Sequence, residues 1–210
     1  MTRFFKIACL IAAMAVVPQV AVASPVSAIT FTGFPASANF DMNIGWVFRV
    51  NQRINVFGLG YYDLAQDGLA GPHTVGLFAL GQTSALFSTQ VAGGTGATLI
   101  DGFRYTTSST SLITLNPGLY AIMANNPATD AWVGAVTGFA VNPLVTFGTG
   151  AVAVGGSALQ APTDTVSAYD PNAFGPNMLI SAVPEPSSIL FLASGIVFVA
   201  VLGRRKISIH

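Results

Sequence analysis

Cysteine, histidine and charged residues are scarce in this chain, and each scarcity excludes a kind of site. The only cysteine, Cys9, lies in an apolar run near the amino terminus, so the rest of the chain can form neither disulfides nor thiolate–metal sites. His73 is the only histidine before His210, which excludes a typical zinc site. Charged residues make up 8% of the chain, whereas a typical soluble domain has about 25%. Because 52% of the residues are hydrophobic, part of that content must lie in segments apart from a soluble body.

Catalytic motifs are also missing. The sequence has no G-x-S-x-G turn, no H-E-x-x-H motif, no P-loop and no G-x-G-x-x-G fingerprint. The catalytic alternative is a hydrolase built on Asp63, Asp67 and His73, since carboxylates and imidazole are common acid–base groups. The two aspartates share one short loop, however, rather than flanking a cleft as a glycosidase pair does. We therefore expect a protein that is not an enzyme and has no cofactor, apart from the calcium ion considered below.

The few charges are distributed unevenly along the chain. Five of the eight basic residues lie near the two ends: Arg3, Lys6, Arg204, Arg205 and Lys206. Between Ser24 and Pro186 there are three arginines and eight acidic residues. A mildly acidic middle region without a basic cluster argues against binding to nucleic acid, which needs phosphate neutralisation, and against binding to anionic lipid surfaces.

Residues 1–23 are predicted to be a secretory signal peptide. Arg3 and Lys6 precede an apolar run over residues 7–17, and Ala21-Val22-Ala23 gives the small-x-small pattern that signal peptidase cleaves. Cleavage is expected between Ala23 and Ser24. Cys9 lies too early to be the lipidated first residue of a mature lipoprotein, and an uncleaved signal anchor is the main alternative.

The other end, residues 183–210, has three parts. Pro184-Glu185-Pro186 is followed by an apolar segment over residues 189–203 and then by the basic cluster Arg204-Arg205-Lys206. Fifteen helical residues span about 22 Å, which is short of the hydrocarbon core of about 30 Å. The segment predicts a short transmembrane helix that suits a transient signal better than a permanent anchor. Positive charge stays on the cytoplasmic side, so both ends place residues 24–182 outside the inner membrane.

The carboxy-terminal segment resembles the PEP-CTERM sorting signal through the Pro184-Glu185-Pro186 tripeptide, the apolar helix and the Arg204-Arg205-Lys206 cluster. Residues 207–210 follow that cluster, slightly more than is usual for the signal. The resemblance implies handling by an exosortase in a Gram-negative bacterium that makes extracellular polysaccharide. The sequence leaves open whether the segment is removed or kept as a plain anchor.

Residues 24–182 are predicted to form an all-β body. Short β-branched and aromatic runs alternate with turn residues, and no long stretch has helical periodicity. Predicted strands are 45–50, 54–62, 74–80, 85–91, 102–106, 111–115, 120–124 and 178–182, with weaker patterns at 132–140 and 145–154. So many short strands indicate an antiparallel β-sandwich or jelly roll. Residues 142–165 are either flat strands or a loop, and residues 162–177 are predicted to be a loop.

The body also resembles the DUF4082-like β-sandwich domains. The similarity lies in Gly45-Trp46-Val47-Phe48-Arg49-Val50-Asn51, in residues 56–63 and in Asp67-Gly68-Leu69 and His73-Thr74-Val75-Gly76-Leu77-Phe78. It continues in residues 102–105, 115–120 and 174–178. The resemblance implies a fold and no activity. Tyr120, after the turn Asn116-Pro117-Gly118, is expected to bond a backbone group through its hydroxyl.

Two weak ligand sites are visible in the body. Asp63 and Asp67 lie in a turn with Gly68 and could supply oxygen ligands to calcium, although a plain aspartate turn is the alternative. Tyr61 and Tyr62 could contact a sugar, and one of them is expected to be exposed because neighbouring strand residues point to opposite faces. Trp46 is expected to lie in the core.

These features together predict an exported, non-catalytic protein. We expect signal peptidase and exosortase as its processing enzymes, the inner membrane as a transient site, and the cell surface or the biofilm matrix as its destination. A structural or adhesive role is the main hypothesis. The alternative is a carbohydrate-binding module for exopolysaccharide, in which calcium could assist binding.

Overall fold

The computed structural model describes residues 24–33, 36–166 and 174–184. These residues form β-strands, turns and loops, and no helix occurs among them, as the sequence predicts. In this part of the chain there is accordingly no helix that is long and apolar enough to cross a membrane. The predicted signal peptide with Ala23, the residues Glu185 and Pro186, the apolar segment 189–203 and the basic cluster lie outside the described residues.

The described part of the body contains sixteen strands. In chain order they are β1 (Val26–Ser27), β2 (Ile29–Thr30), β3 (Ala36–Ala38), β4 (Asp41–Val50), β5 (Ile54–Tyr62), β6 (His73–Ala79), β7 (Phe87–Val91), β8 (Thr98–Ile100), β9 (Phe103–Thr107), β10 (Ile113–Leu115), β11 (Gly118–Pro127), β12 (Trp132–Gly134), β13 (Ala140–Val141), β14 (Val145–Val154), β15 (Asp164–Val166) and β16 (Pro176–Ala182).

Most strands belong to two six-stranded sheets. The first sheet has the order β1-β16-β5-β9-β8, with β10 paired to the beginning of β5. The second has the order β15-β14-β4-β11-β6-β7. Two short ladders, β3 with β12 and β2 with β13, lie outside them. Every pairing is antiparallel.

The two sheets share one hydrophobic core. Trp46 and Phe48 of the second sheet and Leu59 and Met178 of the first are fully buried in the same cluster. The indole Nε1–H of Trp46 donates to the carbonyl of Pro176 at 2.9 Å, which ties β4 to β16 across the core. Burying one such side chain contributes about 1.5–3 kcal/mol. The predicted core position of Trp46 is confirmed, and the arrangement is consistent with the predicted sandwich.

A second, smaller apolar cluster lies on the other face of the second sheet. Its buried members alternate along their strands with the core residues: Val47, Phe78, Ala121, Met123 and Ala151. Residues 155–163 run beside this cluster, and Leu159 packs against it. The buried side chain of Asn43 holds the segment, because its amide donates to the carbonyls of Gly155 and Ala158. The second sheet is therefore buried on part of both faces.

The sequence pattern located most of the long strands. The bounds 54–62 and 145–154 are confirmed, and the hydroxyl of Tyr120 donates to the carbonyl of Asn116 at 3.0 Å, as expected. The prediction of a loop over 162–177 is wrong at two places, because β15 pairs with β14 and because β16 begins at Pro176. The weak pattern at 132–140 is interrupted, since β12 ends at Gly134.

One end of the body is where the chain leaves it towards the carboxy terminus. The last strand ends at Ala182, and the amide of Val183 still donates to the carbonyl of Arg53 at 3.1 Å. We term this the exit end. It also carries residues 116–117, between β10 and β11, and the loop 80–86, between β6 and β7.

The opposite end, termed the far end, carries the other set of connections. Here β5 ends at Tyr62, which pairs with Phe103 at the start of β9. The turn between β8 and β9 lies beside it, as does the loop that follows β5. The connections at the far end form the site described next.

Candidate functional site

A cleft of about 680 Å³ lies at the far end. Small-molecule sites commonly have volumes of about 300–1,000 Å³. Its lining combines aromatic, aliphatic, hydroxyl, amide and carboxylate side chains: Thr30, Phe31, Thr32, Tyr62, Leu64, Gln66, Leu99, Asp101 and Gly102. These residues come from separate stretches of sequence, which the first sheet and its connections bring together at one edge.

A tight turn between β8 and β9 shapes one wall of the cleft. Asp101 and Gly102 have positive φ angles of 50° and 81°, a backbone conformation that aspartate tolerates and glycine adopts freely. A Cβ atom at position 102 would lie 3.0 Å from Cε2 of Tyr62. Glycine therefore lets the turn close against the tyrosine ring. The carboxylate of Asp101 accepts a hydrogen bond of 2.7 Å from the hydroxyl of Ser27, which orients it.

Two aromatic rings form the apolar part of the lining together with Leu64 and Leu99. The ring centroids of Phe31 and Tyr62 are 5.0 Å apart with an interplanar angle of 48°. Phe31 is only partly buried, whereas Tyr62 is 6% exposed. Burial, and secondly the charge of Asp63, raise the pKa of Tyr62 above its ordinary value of 10.0. The phenol is therefore neutral at physiological pH.

A buried arginine holds the loops around the cleft. Arg104 Nε donates to Asp63 Oδ2 at 2.8 Å, and both side chains are almost fully buried. Its two terminal nitrogens donate to three carbonyls, those of Gln66, Thr95 and Ala97. One guanidinium thus fixes the loop after β5 to the loop before β8. Gln66, held in this way at a positive φ of 59°, belongs to the cleft lining.

The structure separates the two aspartates of the predicted calcium loop. Asp63 is 2% exposed, and its Oδ2 also accepts a hydrogen bond of 3.0 Å from the amide of Gly68. Asp67 is exposed. Among the described residues, no three side chains of the histidine, cysteine, aspartate or glutamate type are grouped to hold a metal ion. The carboxylate of Asp63 is engaged by Arg104 and by a turn amide, and calcium binding in this loop stays a prediction.

His73 belongs to a separate buried polar cluster. Its Nδ1 lies 2.8 Å from the carbonyl of Asn125, and its Nε2 lies 2.9 Å from Asp130 Oδ2. Both ring nitrogens of His73 are thus within hydrogen-bond distance of an oxygen atom. The ring of His73 also stacks on that of Tyr61, with centroids 3.8 Å apart.

Asp130 is the acceptor that organises this cluster. Besides His73, the amides of Ala70 and Gly71 donate to its carboxylate at 2.8 and 3.1 Å. Burial opposes ionisation of Asp130, but these hydrogen bonds and the charge of His73 outweigh it and hold its pKa below the ordinary value of 3.8. The ionised carboxylate of Asp130 therefore holds the start of β6 through His73 and the two amides before it. With both ring nitrogens of His73 engaged, the arrangement is that of a structural histidine.

The expectation that Tyr61 or Tyr62 is exposed is wrong. The two rings do point to opposite sides of β5, but both sides are covered. Tyr61 is fully buried against His73, and Tyr62 packs beside Phe31 and Phe103. Of the two predicted sugar-contacting tyrosines, Tyr62 lines the cleft and Tyr61 lies in the core.

Several residues of the site were not found in the sequence. Asp101-Gly102 is a typical turn dipeptide and could have indicated the tight turn. No local sequence pattern marks Phe31 and Gln66 as lining residues, because their positions depend on pairing between strands that are distant in sequence. The ion pairs of Arg104 and Asp130 join residues that are 41 and 57 positions apart.

The cleft lining combines hydrogen-bonding side chains with aromatic and aliphatic ones. Asp101 offers an acceptor, Gln66 offers both a donor and an acceptor, and Thr30 and Thr32 offer hydroxyl groups. The Phe31 and Tyr62 rings provide an apolar surface for C–H groups. The cleft thus offers several hydrogen-bonding groups beside a smaller apolar surface.

Comparison with known protein families identifies the end of the chain. Residues 182–206 match the family model described as the PEP-CTERM protein-sorting motif. This match confirms the resemblance of the sorting signal and indicates a chain that is exported and sorted by an exosortase. No curated protein and no solved structure matches the chain. The similarity of the body to the DUF4082-like domains stays a prediction.

Proposed function

We propose that this protein is displayed at the surface or in the exopolysaccharide matrix of a Gram-negative bacterium, where its body has a structural or adhesive role without catalysis. The match of residues 182–206 to the sorting motif is the observation that supports this proposal. In it, signal peptidase cleaves before Ser24, the apolar segment 189–203 enters the inner membrane with Arg204-Arg205-Lys206 on the cytoplasmic side, and exosortase then processes the chain.

The intact mass and both terminal sequences of the protein recovered from its native cells test this proposal. We expect a chain that begins at Ser24 and ends near residues 184–187 in the surface or matrix fraction. In cells that lack the exosortase, the same protein should keep residues 189–210 and stay with the inner membrane. A chain that keeps these residues in normal cells as well would show a plain anchor instead of a sorting signal.

The far-end cleft favours a second function for the body, which is binding of a saccharide. The supporting observation is the lining, which contains two aromatic rings together with a carboxylate, an amide and two threonine hydroxyls. Pyranose rings present the matching pattern of C–H faces and hydroxyl edges. The cleft lies at the end opposite to the one where the chain leaves the body, so an extended polysaccharide could reach it.

Affinity electrophoresis in gels that contain purified exopolysaccharide of the native organism tests saccharide binding. We expect the protein to be retarded, and retardation to be lost in Asp101→Asn and Gln66→Ala. The matched control is Val154→Ser, which changes a side chain that is 87% exposed and is not part of the lining. Equal mobility in gels with and without polysaccharide would contradict the second function and leave the first unaffected.

A further inference from the structure

The fold separates the charges of the body into two unlike ends. In the part of the chain that the structure describes, six aspartates lie at the far end or in the half of the sheets next to it: Asp41, Asp63, Asp67, Asp101, Asp130 and Asp164. The exit end has Arg49 and Arg53, both exposed, and neither has a carboxylate partner among the described residues. Arg104 lies at the far end but is buried and paired with Asp63, so the exposed basic side chains of the described residues lie at the exit end.

Exposed leucines accompany the two arginines. Leu80, Leu86 and Leu119 are 43%, 47% and 45% exposed. The amide of Leu80 donates to the carbonyl of Leu119, and Leu119 pairs with Arg49 in the next strand. Leu119 and Arg49 alternate with core residues of β11 and β4, so they lie on the outer face of the second sheet, whereas Leu80 and Leu86 belong to the loop 80–86. A basic group, Arg49, and an apolar group, Leu119, are thus neighbours at the exit end, with Leu80 next to Leu119.

The path of the chain brings this surface close to the membrane in the sorting step. Ala182 is the last residue of β16, and the predicted membrane segment begins at residue 189. Seven residue steps reach at most about 25 Å, even when fully extended. β1 begins on the same side, because Val26 pairs with Ile180 two residues before β16 ends. The start of β1 and the end of β16 therefore both lie towards the exit end.

We propose that the exit end, with Arg49, Arg53, Leu80, Leu86 and Leu119, docks on the anionic phospholipid headgroups of the membrane that holds the carboxy-terminal segment. This inference rests on the proposed function, because the tether requires a membrane-inserted segment 189–203. Arginine is attracted to anionic headgroups, and exposed leucines enter the boundary between headgroups and acyl chains.

The short chain between Ala182 and residue 189 allows a small surface to dock on the membrane. Two arginines would bind a membrane weakly from solution, but a short linker turns docking into an intramolecular step with an effective concentration in about the millimolar range. The aspartates add to the orientation, since repulsion from an anionic surface turns the far end away from it. Docking therefore leaves the cleft directed outward.

Fluorescence quenching in vesicles tests the docking with the full chain. The protein, with Cys9→Ser, is reconstituted into vesicles of phosphatidylglycerol and phosphatidylethanolamine that contain a lipid with a nitroxide on its headgroup. A polarity-sensitive fluorophore is attached to Leu119→Cys at the exit end or to Val154→Cys at the far end. Both positions are exposed, so neither change removes a core side chain. We expect stronger quenching at position 119 than at position 154.

The arginines and the lipid charge provide the decisive comparisons. The excess quenching at position 119 should be lost in Arg49→Gln/Arg53→Gln and in vesicles of phosphatidylcholine, and it should decrease at high salt because the attraction is screened. Equal quenching at the two positions would overturn the docking proposal. So would quenching that does not change with lipid charge or with the two arginine substitutions.

Flotation of the same vesicles separates this result from the proposed function. A chain that floats with vesicles and shows equal quenching has an inserted segment and no docked body, so only the docking fails. A chain that does not float has no inserted segment, and then the membrane step of the proposed function fails together with the docking.

Discussion

Replacing Arg104 by methionine should destabilise the body more than any surface substitution. The side chains of Arg104 and Asp63 are 7% and 2% exposed, and their charged atoms lie 2.8 Å apart. Methionine fills a similar volume but leaves the Asp63 carboxylate buried without its cation. Removing one partner of a buried ion pair costs about 3–5 kcal/mol. For a domain of this size, each 1 kcal/mol lowers Tm by about 2–4 °C, so we expect a loss of about 6–20 °C.

Urea unfolding followed by tryptophan fluorescence measures this loss, because Trp46 and Trp132 are both buried and report on the core. Arg49→Met is the matched control, since Arg49 is exposed, and we expect a change within about 0.5 kcal/mol. If Arg104→Met loses less than about 1 kcal/mol, then water or a rearranged loop solvates Asp63 and the contacts of Arg104 do not hold the far end.

Three further predictions follow from the buried polar groups. Tyr61→Phe should be neutral or stabilising in urea unfolding, because the Tyr61 hydroxyl is buried with no partner in the described part of the chain, whereas Tyr120→Phe should lose about 0.5–1.5 kcal/mol with its hydrogen bond. The folded-state pKa of Asp130 lies below 3.8, so its contribution is present above that pH and is lost as pH falls through the lower folded value; acid unfolding of Asp130→Asn should lack this dependence. Millimolar calcium should not raise Tm, because Arg104 already engages Asp63 and a single remaining loop aspartate, Asp67, is too few ligands for calcium.

The sequence predicted those parts of the fold that depend on local patterns. β5 alternates and ends at turn residues, so its bounds were found from the sequence alone. β8 and β15 have three residues each, too few to show a period, and they form because a longer strand offers a free edge. Their prediction would need the pairing itself, which is a long-range property.

The site was less predictable than the fold for the same reason. Neighbouring residues such as Tyr61 and Tyr62 were correctly assigned to opposite faces of β5, but their burial depends on what covers each face. His73 covers Tyr61, and Phe31 covers one side of Tyr62. The spacing of Asp63 and Asp67 suggested a shared cation, yet the cation beside Asp63 is the guanidinium of Arg104, 41 residues away.

A double substitution can separate the stability of the far end from its shape. Asp63→Leu/Arg104→Met removes both buried charges, and apolar replacement of a whole pair is often neutral, so the double variant should recover much of the stability that Arg104→Met loses. The carbonyls of Gln66, Thr95 and Ala97 would still lack their donor.

Hydrogen exchange should therefore be fast in residues 64–68 and 94–97 of the double variant, even where urea unfolding shows a stable core. The two measurements would then diverge, which is the behaviour expected if the guanidinium positions the cleft loops in addition to neutralising Asp63. If exchange in these loops is as slow as in the unchanged protein, the carbonyl contacts of Arg104 do not position the loops. In that case the ring packing of Phe31 and Tyr62 is sufficient to hold the cleft.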